Sequence, residues 1–255
     1  MNTPQPVTIL TGASRGLGLG IAQALLARGH RLLTLQRTPS AELATLAADK
    51  GLQIEQWSVD LTDPLPVAQR LQAWVAALPR GGIAALHLIN NAALLVEPGP
   101  LSRADLQGVS AATRASLEAP LLLTAAFLAG STDVTAPRKV LNISSGLGRF
   151  AMAGSAVYCA AKAGMDHYSR AVALEEAEHT GGAKIVSLAP GVIDTDMQVQ
   201  LRGADPKAFS SQSRFATLKD QGQLDSPEAA AAKVVGCLER ADFGAQTIAD
   251  VRDAG

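Results

Sequence analysis

The fold is decided by one stretch near the start of the chain, Thr11-Gly12-Ala13-Ser14-Arg15-Gly16-Leu17-Gly18. It follows an apolar run at residues 7–10 and precedes residues 17–28, where apolar side chains recur at helical spacing. Glycines at such a strand-to-helix turn let the backbone approach a pyrophosphate, and the helix N-terminus brings its partial positive charge to the phosphates. The stretch therefore predicts a dinucleotide-binding loop. The loop residues that we expect to bind the cofactor are Gly12, Ser14, Arg15, Gly16, Leu17 and Gly18.

Two other interpretations of this stretch stay open. The same letters contain the pattern Gly-x-Ser-x-Gly centred on Ser14, which is the nucleophile elbow of α/β-hydrolases. A tight turn without any ligand is the third possibility. Gly18 favours the dinucleotide, because close packing of the helix against the strand requires a glycine there. The first strand is also an unusual place for a hydrolase nucleophile.

Short β-rich runs alternate with longer helical patterns along the whole chain. The strand patterns lie at residues 7–10, 31–35, 52–59, 84–89, 139–143 and 184–188. The helical patterns lie at residues 17–28, 39–49, 67–78, 110–129 and 155–178. Such alternation produces βαβ crossovers and a parallel sheet covered on both faces. We therefore predict an α/β protein with a single domain over residues 1–255, a doubly wound (Rossmann-type) parallel sheet of about seven strands with helices on both faces.

A polar, irregular segment at about residues 192–225 separates the last of these strands from a helical pattern beginning near Ser226. Ligands of open α/β sheets bind beyond the carboxyl ends of the strands, so an insertion there can cover a substrate. We predict that this segment is a substrate lid.

Composition and charge exclude several classes of protein. The 255 residues carry 22 Lys and Arg against 23 Asp and Glu, which leaves no broad basic surface for nucleic acid or an anionic membrane. Two cysteines cannot form a disulfide framework, and no metal-ligand spacing surrounds them, so no metal site is predicted. The polar N-terminus indicates no signal peptide, and the apolar stretch at residues 119–129 is too short to span a bilayer. We expect a cytoplasmic protein.

Tyr158 and Lys162 are four residues apart in a helical pattern, which places a phenol and an ammonium on one helix face. A phenol has a pKa of about 10 and is a poor acid or base at neutral pH. A nearby cation stabilises the phenolate and makes Tyr158 a usable proton donor. Ser145 ends the preceding strand, where its hydroxyl can reach the same substrate oxygen. Together with the glycine loop, these residues indicate a catalytic site.

This combination resembles the short-chain dehydrogenase/reductase family over essentially the whole chain. Further matching positions are Asp60-Leu61 after the third strand, Asn90-Asn91-Ala92 after the fourth and Pro190-Gly191 after the sixth. Residues 190–198, with shorter matches near residues 96–101 and 250–253, are most similar to the sepiapterin reductase and bacterial benzil reductase branch.

The resemblance implies catalytic roles for four residues. Ser145 would orient a substrate carbonyl, and Tyr158 would donate the proton. Lys162 would hold the nicotinamide ribose and lower the pKa of the tyrosine. The family usually has an asparagine in the long helix that joins the proton relay through water, and this chain has Ser116 there. We expect Ser116 to replace that asparagine in the relay.

The resemblance also implies the cofactor contacts outside the glycine loop. Asp60 would meet the adenine, Asn90 the adenosine ribose region, and Thr195 the nicotinamide carboxamide. Tyr158 and Lys162 would also touch the cofactor. The remaining expected contacts are Leu61, Ala92, Pro190, Gly191 and Ile193.

The end of the second strand predicts which cofactor is used. Members of the family that bind NAD usually carry an acidic residue there for the ribose hydroxyls. Here the stretch is Leu35-Gln36-Arg37-Thr38, with no carboxylate to repel a 2′-phosphate. Arg37 and Arg15 could both bind that phosphate with charge-assisted hydrogen bonds. We therefore predict NADP(H).

The predicted function is an NADPH-dependent carbonyl reductase that transfers hydride to a small ketone or diketone. Three alternatives stay open: a reductase of another ketone or a 3-oxoacyl thioester, a non-catalytic NADP(H)-sensing protein, and a serine hydrolase acting through Ser14. The expected partners are a small-molecule carbonyl substrate and further copies of the chain in a homodimer or homotetramer. No nucleic-acid or membrane partner is expected.

Overall fold

A parallel sheet of seven strands runs through the computed structural model, which describes residues 4–79 and 81–253. In chain order, the strands are β1 Gln5–Thr11, β2 Arg31–Gln36, β3 Ile54–Ser58, β4 Ile83–Asn90, β5 Arg138–Ile143, β6 Lys184–Ala189 and β7 Ile248–Asp250. Their order across the sheet is β3-β2-β1-β4-β5-β6-β7, and every neighbouring pair is parallel. This arrangement confirms the predicted doubly wound sheet.

Helices cover both faces because successive strand residues point to opposite sides. Ile9 lies in one buried apolar cluster, whereas its neighbour Leu10 lies in a second one. The helices that pack on the Leu10 side are α1 Gly16–Ala27, α2 Ala41–Asp49 and α9 Pro227–Glu239. Those on the Ile9 side are α3 Pro64–Ala76, α5 Ala119–Gly130 and α6 Ala156–Ala177. The shorter helices are α4 Leu106–Thr113, α7 Asp196–Gly203 and α8 Gln212–Asp220.

The strand order changes direction between β1 and β4, which opens a crevice beyond their carboxyl ends. Hydrogen bonds hold the two chain segments together at this point. The hydroxyl of Thr11 accepts from the backbone N–H groups of Asn91 and Ala92, both at 2.9 Å. The Asn91 side chain donates to the carbonyl oxygens of Thr11 at 3.0 Å and Gly12 at 3.2 Å. These bonds fix the end of β1 to the residues after β4 at the base of the crevice.

Two predicted segments differ from the structure. The helix expected at residues 110–129 is divided into α4 and α5 by a π-helical turn at Arg114–Glu118. The segment at residues 192–225, expected to be irregular, contains α7 and α8. None of the helices within residues 4–79 and 81–253 combines the length and the apolar character that crossing a membrane requires.

A pair of buried histidines lies beside β1. The Thr8 hydroxyl is 2.8 Å from Nδ1 of His30 and 3.3 Å from Nδ1 of His87, and the two ring centroids are 5.7 Å apart. Burial, with a smaller effect of Arg28, lowers the pKa of His30 from 6.5 to about 4. Burial, followed by the neighbouring His30 and by Lys139, lowers the pKa of His87 from 6.5 to about 3. The folded protein therefore keeps both rings neutral.

We expect these histidines to make the protein sensitive to acid. Below pH 6.5 the unfolded chain binds protons at both rings, whereas the folded chain binds them only near pH 4 and pH 3. The free energy of unfolding should therefore decrease as the pH falls below 6.5, by about 1–2 kcal/mol per histidine at pH 5. Urea unfolding between pH 5 and pH 8 measures this slope.

A double variant isolates the contribution of the pair. In His30→Asn/His87→Asn the amides can still bond to Thr8 but do not titrate, so the slope between pH 8 and pH 5 should become shallower. The matched control is His167→Asn/His179→Asn, because both of those rings are exposed. An equal slope in wild type and in the His30/His87 variant would contradict the assignment.

Candidate active site

Three positions of the loop between β1 and α1 require glycine. Gly12 and Gly16 have φ of +71° and +53°, in the left-handed region that favours glycine. A Cβ on Gly18 would lie 1.9 Å from the carbonyl oxygen of Gly12, closer than any real contact. Arg15 caps α1 without a side-chain hydrogen bond, which leaves the first N–H groups of the helix directed towards the loop. The loop thus has the form that a dinucleotide phosphate requires.

Ser14 lies exposed in this loop, away from every histidine it would need as a hydrolase. His30 and His87 are buried beside β1, and His167 and His179 are exposed on or just after α6. No hydrogen bond joins Ser14 to a histidine in the described part of the chain. The structure gives no support to the nucleophile-elbow interpretation.

Lys162 occupies the centre of the predicted catalytic group. Helix α6 begins at Ala156, so Tyr158 lies in its first turn and Lys162 one turn later on the same face. Lys162 is 2% exposed, and its ammonium donates at 2.6 Å to the carbonyl oxygen of Ile143, the last residue of β5. Its Nζ is 5.6 Å from the ring centroid of Tyr158. The helix and the strand end therefore fix the cation beside the phenol.

Ser145 completes this group from the loop after β5. It caps the 3₁₀ turn Gly146–Gly148, and its hydroxyl oxygen accepts from the Leu147 N–H at 3.2 Å. A hydroxyl that accepts one hydrogen bond keeps its own proton for donation. Ser145 is thus able to donate to Tyr158 or to a substrate oxygen.

The pKa values of the two titrating groups shift in opposite directions. Burial raises the pKa of Tyr158 to about 12, although a hydrogen bond with Ser145 acts in the opposite direction. Burial lowers the pKa of Lys162 to about 8, and the negative charge of Asp166 counteracts this effect. At neutral pH the phenol therefore holds its proton and the amine is charged, which suits proton donation by Tyr158.

Ser116 has a different position from the one expected of a relay residue. It is buried in the π-helical turn, where its hydroxyl accepts from the Leu94 N–H at 3.0 Å and faces the Leu94 carbonyl oxygen at 3.3 Å. The hydroxyl proton is thus used in the bond to Leu94 rather than offered to Lys162. In this structure Ser116 fixes the loop after β4, which leads into Leu95 and Val96, and its relay role stays a prediction.

We expect Ser116→Ala to affect the carbonyl substrate more than the cofactor. The substitution removes the hydrogen bond from the Leu94 N–H and loosens the loop, which should cost about 0.5–1.5 kcal/mol of stability. KM for the carbonyl substrate should rise, with a modest fall in kcat and an unchanged Kd for the cofactor. Steady-state kinetics and isothermal calorimetry measure these quantities.

Ser116→Thr keeps the hydroxyl and serves as the matched control, with kinetics close to those of the wild type. A relay role would give a different pattern. Ser116→Ala would then change the pH dependence of kcat while leaving KM unaltered, and this outcome would restore the relay hypothesis.

The residues after β2 and β3 lie at the adenosine side of the crevice. Arg37 is exposed and forms no ion pair with a carboxylate in the described residues. The Asp60 carboxylate accepts from the Thr62 N–H at 2.9 Å, and this bond, with a smaller effect of Arg37, lowers its pKa. Leu61 is buried in the apolar cluster beside β1, so only its backbone can contact a cofactor. Asp60 and Arg37 are thus both exposed, and their contacts with a cofactor stay predictions.

Arg15 has a partner that the sequence did not predict. Its Nη1 is 2.6 Å from Oδ2 of Asp196, the first residue of α7. The two side chains are 70% and 72% exposed. The expectation that Arg15 binds the 2′-phosphate is therefore weakened, because the guanidinium is directed to Asp196. The ion pair joins the glycine loop to the segment at residues 192–225.

The expected contact of Asn90 with the adenosine ribose region stays a prediction. Its side chain is 2% exposed and points into the interior, where Nδ2 donates to Asn142 at 2.8 Å and to Thr124 at 3.2 Å. Only the backbone of Asn90 faces the crevice end of β4. The neighbouring Asn91 was missed by sequence reasoning, yet its amide holds the glycine loop in place, and Ala92 lies against Gly12.

The residues after β6 bring the segment at residues 192–225 next to the glycine loop. A Cβ on Gly16 would lie 3.3 Å from Cγ2 of Thr195, so this threonine borders the loop. Gly191 has φ of +85° and follows Pro190 at the turn out of β6. Ile193 is buried and pairs with Asp225 at the far end of the segment. These positions agree with contacts to a cofactor in the crevice.

A small cavity of about 20 Å³ borders Tyr158. Its lining includes Leu95, Val96, Glu97, Leu101, Val157 and Tyr158. The segment at residues 192–225 covers this region, since Phe209 is buried against Leu95 and stacks on Phe215 at 5.8 Å. Most of this surface is apolar, which suits an uncharged carbonyl compound.

Comparisons with known proteins point in the same direction. A family model described as short chain dehydrogenase matches residues 6–205. The benzil reductase ((S)-benzoin forming) of Bacillus cereus is 34% identical over 235 residues, which are 92% of this chain and 94% of that protein. The sepiapterin reductase of Mus musculus is 35% identical over 259 residues, covering 97% of each chain.

The fold is shared with solved structures of the same kind. The crystal structure of 3-oxoacyl-(acyl-carrier protein) reductase from Brucella melitensis in complex with NAD has a TM-score of 0.80 and 24% identity, and the match covers 98% of this chain and 96% of that one. The resemblance to the benzil reductase and sepiapterin reductase branch is confirmed by the two relatives above. From its family model and its relatives, the chain belongs to the short-chain dehydrogenase/reductase family of oxidoreductases.

Proposed function

We propose that this protein is an NADPH-dependent carbonyl reductase acting on ketones and diketones. The observation that carries the proposal is the position of Lys162. Its buried ammonium, held by the Ile143 carbonyl, lies 5.6 Å from the ring centroid of Tyr158, with Ser145 at the adjacent strand end. A protein that only sensed the cofactor would not need a phenol, a cation and a hydroxyl in this arrangement.

Each side chain has a chemical task in the proposed reaction. When bound, the nicotinamide supplies a hydride to the carbonyl carbon. Ser145 donates a hydrogen bond to the carbonyl oxygen, and Tyr158 gives its proton to that oxygen as negative charge develops there. The phenolate that remains is stabilised by the Lys162 ammonium, because opposite charges attract strongly in a buried site. The tyrosine regains its proton from solvent after the product leaves.

The chain also provides the groups that would hold the cofactor. The diphosphate would contact the loop at Gly12, Gly16 and the first turn of α1. Arg37 would bind the 2′-phosphate, since Gln36 at the end of β2 is uncharged. Thr195 would lie next to the nicotinamide.

A diketone substrate is supported by two observations. The cavity beside Tyr158 is mainly apolar, and the relative from Bacillus cereus is a benzil reductase. Another ketone or a 3-oxoacyl thioester is the second candidate, since the segment at residues 192–225 could cover longer substrates. We also propose that the protein is cytoplasmic. We further propose that it forms a homodimer or homotetramer, and light scattering measures this oligomeric state.

A substrate panel tests the proposal. The purified protein is mixed with NADPH and with benzil, other diketones, pterin ketones, simple ketones or a 3-oxoacyl thioester, and the loss of NADPH absorbance is followed. Turnover with benzil or another diketone supports the proposal, and exclusive turnover of the thioester favours the second candidate. NADPH binding without reduction of any member would support the sensor interpretation and contradict the proposal.

A further inference from the structure

A buried carboxylate lies one helical turn beyond Lys162. Asp166 is 1% exposed and shares the face of α6 that carries Tyr158 and Lys162, because the three residues are spaced by four. Its Oδ1 accepts from the hydroxyls of Ser144 and Ser187, both at 2.6 Å. A buried carboxylate is costly to a fold unless it is well paired. Nothing in the proposed proton transfer from Tyr158 uses Asp166 directly.

The hydrogen bonds of Asp166 converge on the strand that presents Ser145. Ser144 immediately precedes Ser145, and Ile143, which precedes Ser144, accepts from Lys162. Two side chains of α6 therefore hold two consecutive residues at the end of β5. Ser187 extends the same contact to β6. A shift of Asp166 would thus move Ser145 relative to Tyr158.

The charges around Asp166 form an alternating series. Arg149 Nε is 3.5 Å from Asp166 Oδ2, and Arg149 Nη1 is 3.6 Å from Asp250 Oδ2, which also pairs with Arg252 at 2.6 Å. On the other side, the negative charge of Asp166 counteracts the effect of burial on the pKa of Lys162. The titratable or charged groups that surround this carboxylate are Tyr158, Lys162, Arg149, Asp250 and Arg252.

We propose that Asp166 is a positioning residue of the active site, which fixes Ser145 through Ser144 and places a negative charge one helical turn from Lys162. The inference rests on the proposed function, since it assigns a task within the same reaction. The Arg149 guanidinium lies 3.5 Å from the same carboxylate, so its positive charge opposes the effect of Asp166 on the lysine. Asp166 itself touches neither substrate nor cofactor.

Asp166→Asn removes the negative charge of the side chain and keeps its size. The amide oxygen can still accept both serine hydroxyls, whereas the negative charge is lost. The pH above which kcat/KM falls should shift down by about one unit, because Lys162 then loses its proton more easily. At pH 8 this shift corresponds to a loss of several-fold in kcat/KM. Ser187→Ala is the matched control: it removes one hydrogen bond to the same oxygen but keeps the charge, so its pH profile should match that of the wild type.

A second measurement does not depend on turnover. Titration of the Lys162 side chain by NMR in lysine-labelled protein, assigned with Lys162→Arg, should show a lower midpoint in Asp166→Asn and a higher one in Arg149→Gln. The Arg149 variant also keeps the test decisive if Asp166→Asn does not fold. A wild type that reduces no carbonyl compound would overturn the proposed function but not this result. Unchanged midpoints in the folded variants would overturn the role of Asp166, whatever the activity.

Discussion

We expect Tyr158→Phe to lower kcat for carbonyl reduction by at least about 10²-fold, the usual scale of general acid catalysis. The substitution keeps the ring that packs in the first turn of α6 and removes only the hydroxyl. Burial holds the pKa of this phenol at about 12, so the hydroxyl is a proton donor over the whole neutral range. The Kd for NADPH should stay close to the wild-type value, because the lost hydroxyl acts on the substrate oxygen.

The chain contains a matched control for this experiment. Tyr168, the second of its two tyrosines, lies in the same helix, and burial raises the pKa of its hydroxyl as well. Tyr168→Phe should therefore reproduce any general effect of losing a buried phenol in α6 while keeping turnover. Deuterated NADPH shows by its isotope effect whether hydride transfer limits the rate. More than a tenth of wild-type kcat in Tyr158→Phe, with hydride transfer limiting, would exclude Tyr158 as the proton donor.

The sequence could predict those features that depend on local spacing. Tyr158 and Lys162 share a helix face because they are four residues apart, and that relation holds wherever the helix lies. The glycines at 12, 16 and 18 likewise predict a turn in which larger residues would not fit. The structure agrees, because a Cβ on Gly18 would lie 1.9 Å from the carbonyl oxygen of Gly12. The alternation of strands and helices was sufficient to predict the sheet.

Features that depend on distant partners could not be predicted in the same way. Ser116 finds its partner Leu94 twenty-two residues earlier, and Arg15 finds Asp196 across 181 residues. The direction of the Asn90 side chain depends on Asn142, which the sheet order places opposite it on the neighbouring strand. A π-helical turn inside a continuous apolar pattern leaves no periodic trace in the sequence. Knowing the sheet order in advance could have suggested the pair of asparagines, whereas the Arg15 contact had no sequence signal.

The second large effect that we expect concerns the choice between NADPH and NADH, and it follows from the residues at the end of β2. NAD-binding members place a carboxylate there for the ribose hydroxyls, but this chain has Gln36, whose amide is turned into the sheet and bonded to Gln56 at 2.7 Å. Arg37 follows it at the surface, with Asp60 as the nearby negative charge. An exposed guanidinium beside an uncharged strand end is suited to a 2′-phosphate.

Arg37→Ala should therefore raise KM for NADPH by about 10- to 150-fold, the range that a single charge-assisted contact of about 1.5–3 kcal/mol provides. KM for NADH should change little, because NADH has no 2′-phosphate. Arg15→Ala should have a smaller effect on NADPH than Arg37→Ala, since Asp196 already pairs with Arg15. Steady-state kinetics at one fixed ionic strength provide kcat and KM with NADPH and with NADH for each variant.

Arg28→Ala separates recognition of the phosphate from a general loss of positive charge. Arg28 lies at the opposite end of α1, where it pairs with Glu239 at 3.0 Å, so its removal changes the net charge equally but far from the crevice. Its two KM values should stay at wild-type level. If Arg37→Ala raises KM for NADPH and NADH by the same factor, Arg37 supports the loop between β2 and α2 and does not recognise the phosphate. A rise confined to NADPH, together with weaker inhibition by increasing salt in the variant, identifies Arg37 as the residue that selects the cofactor.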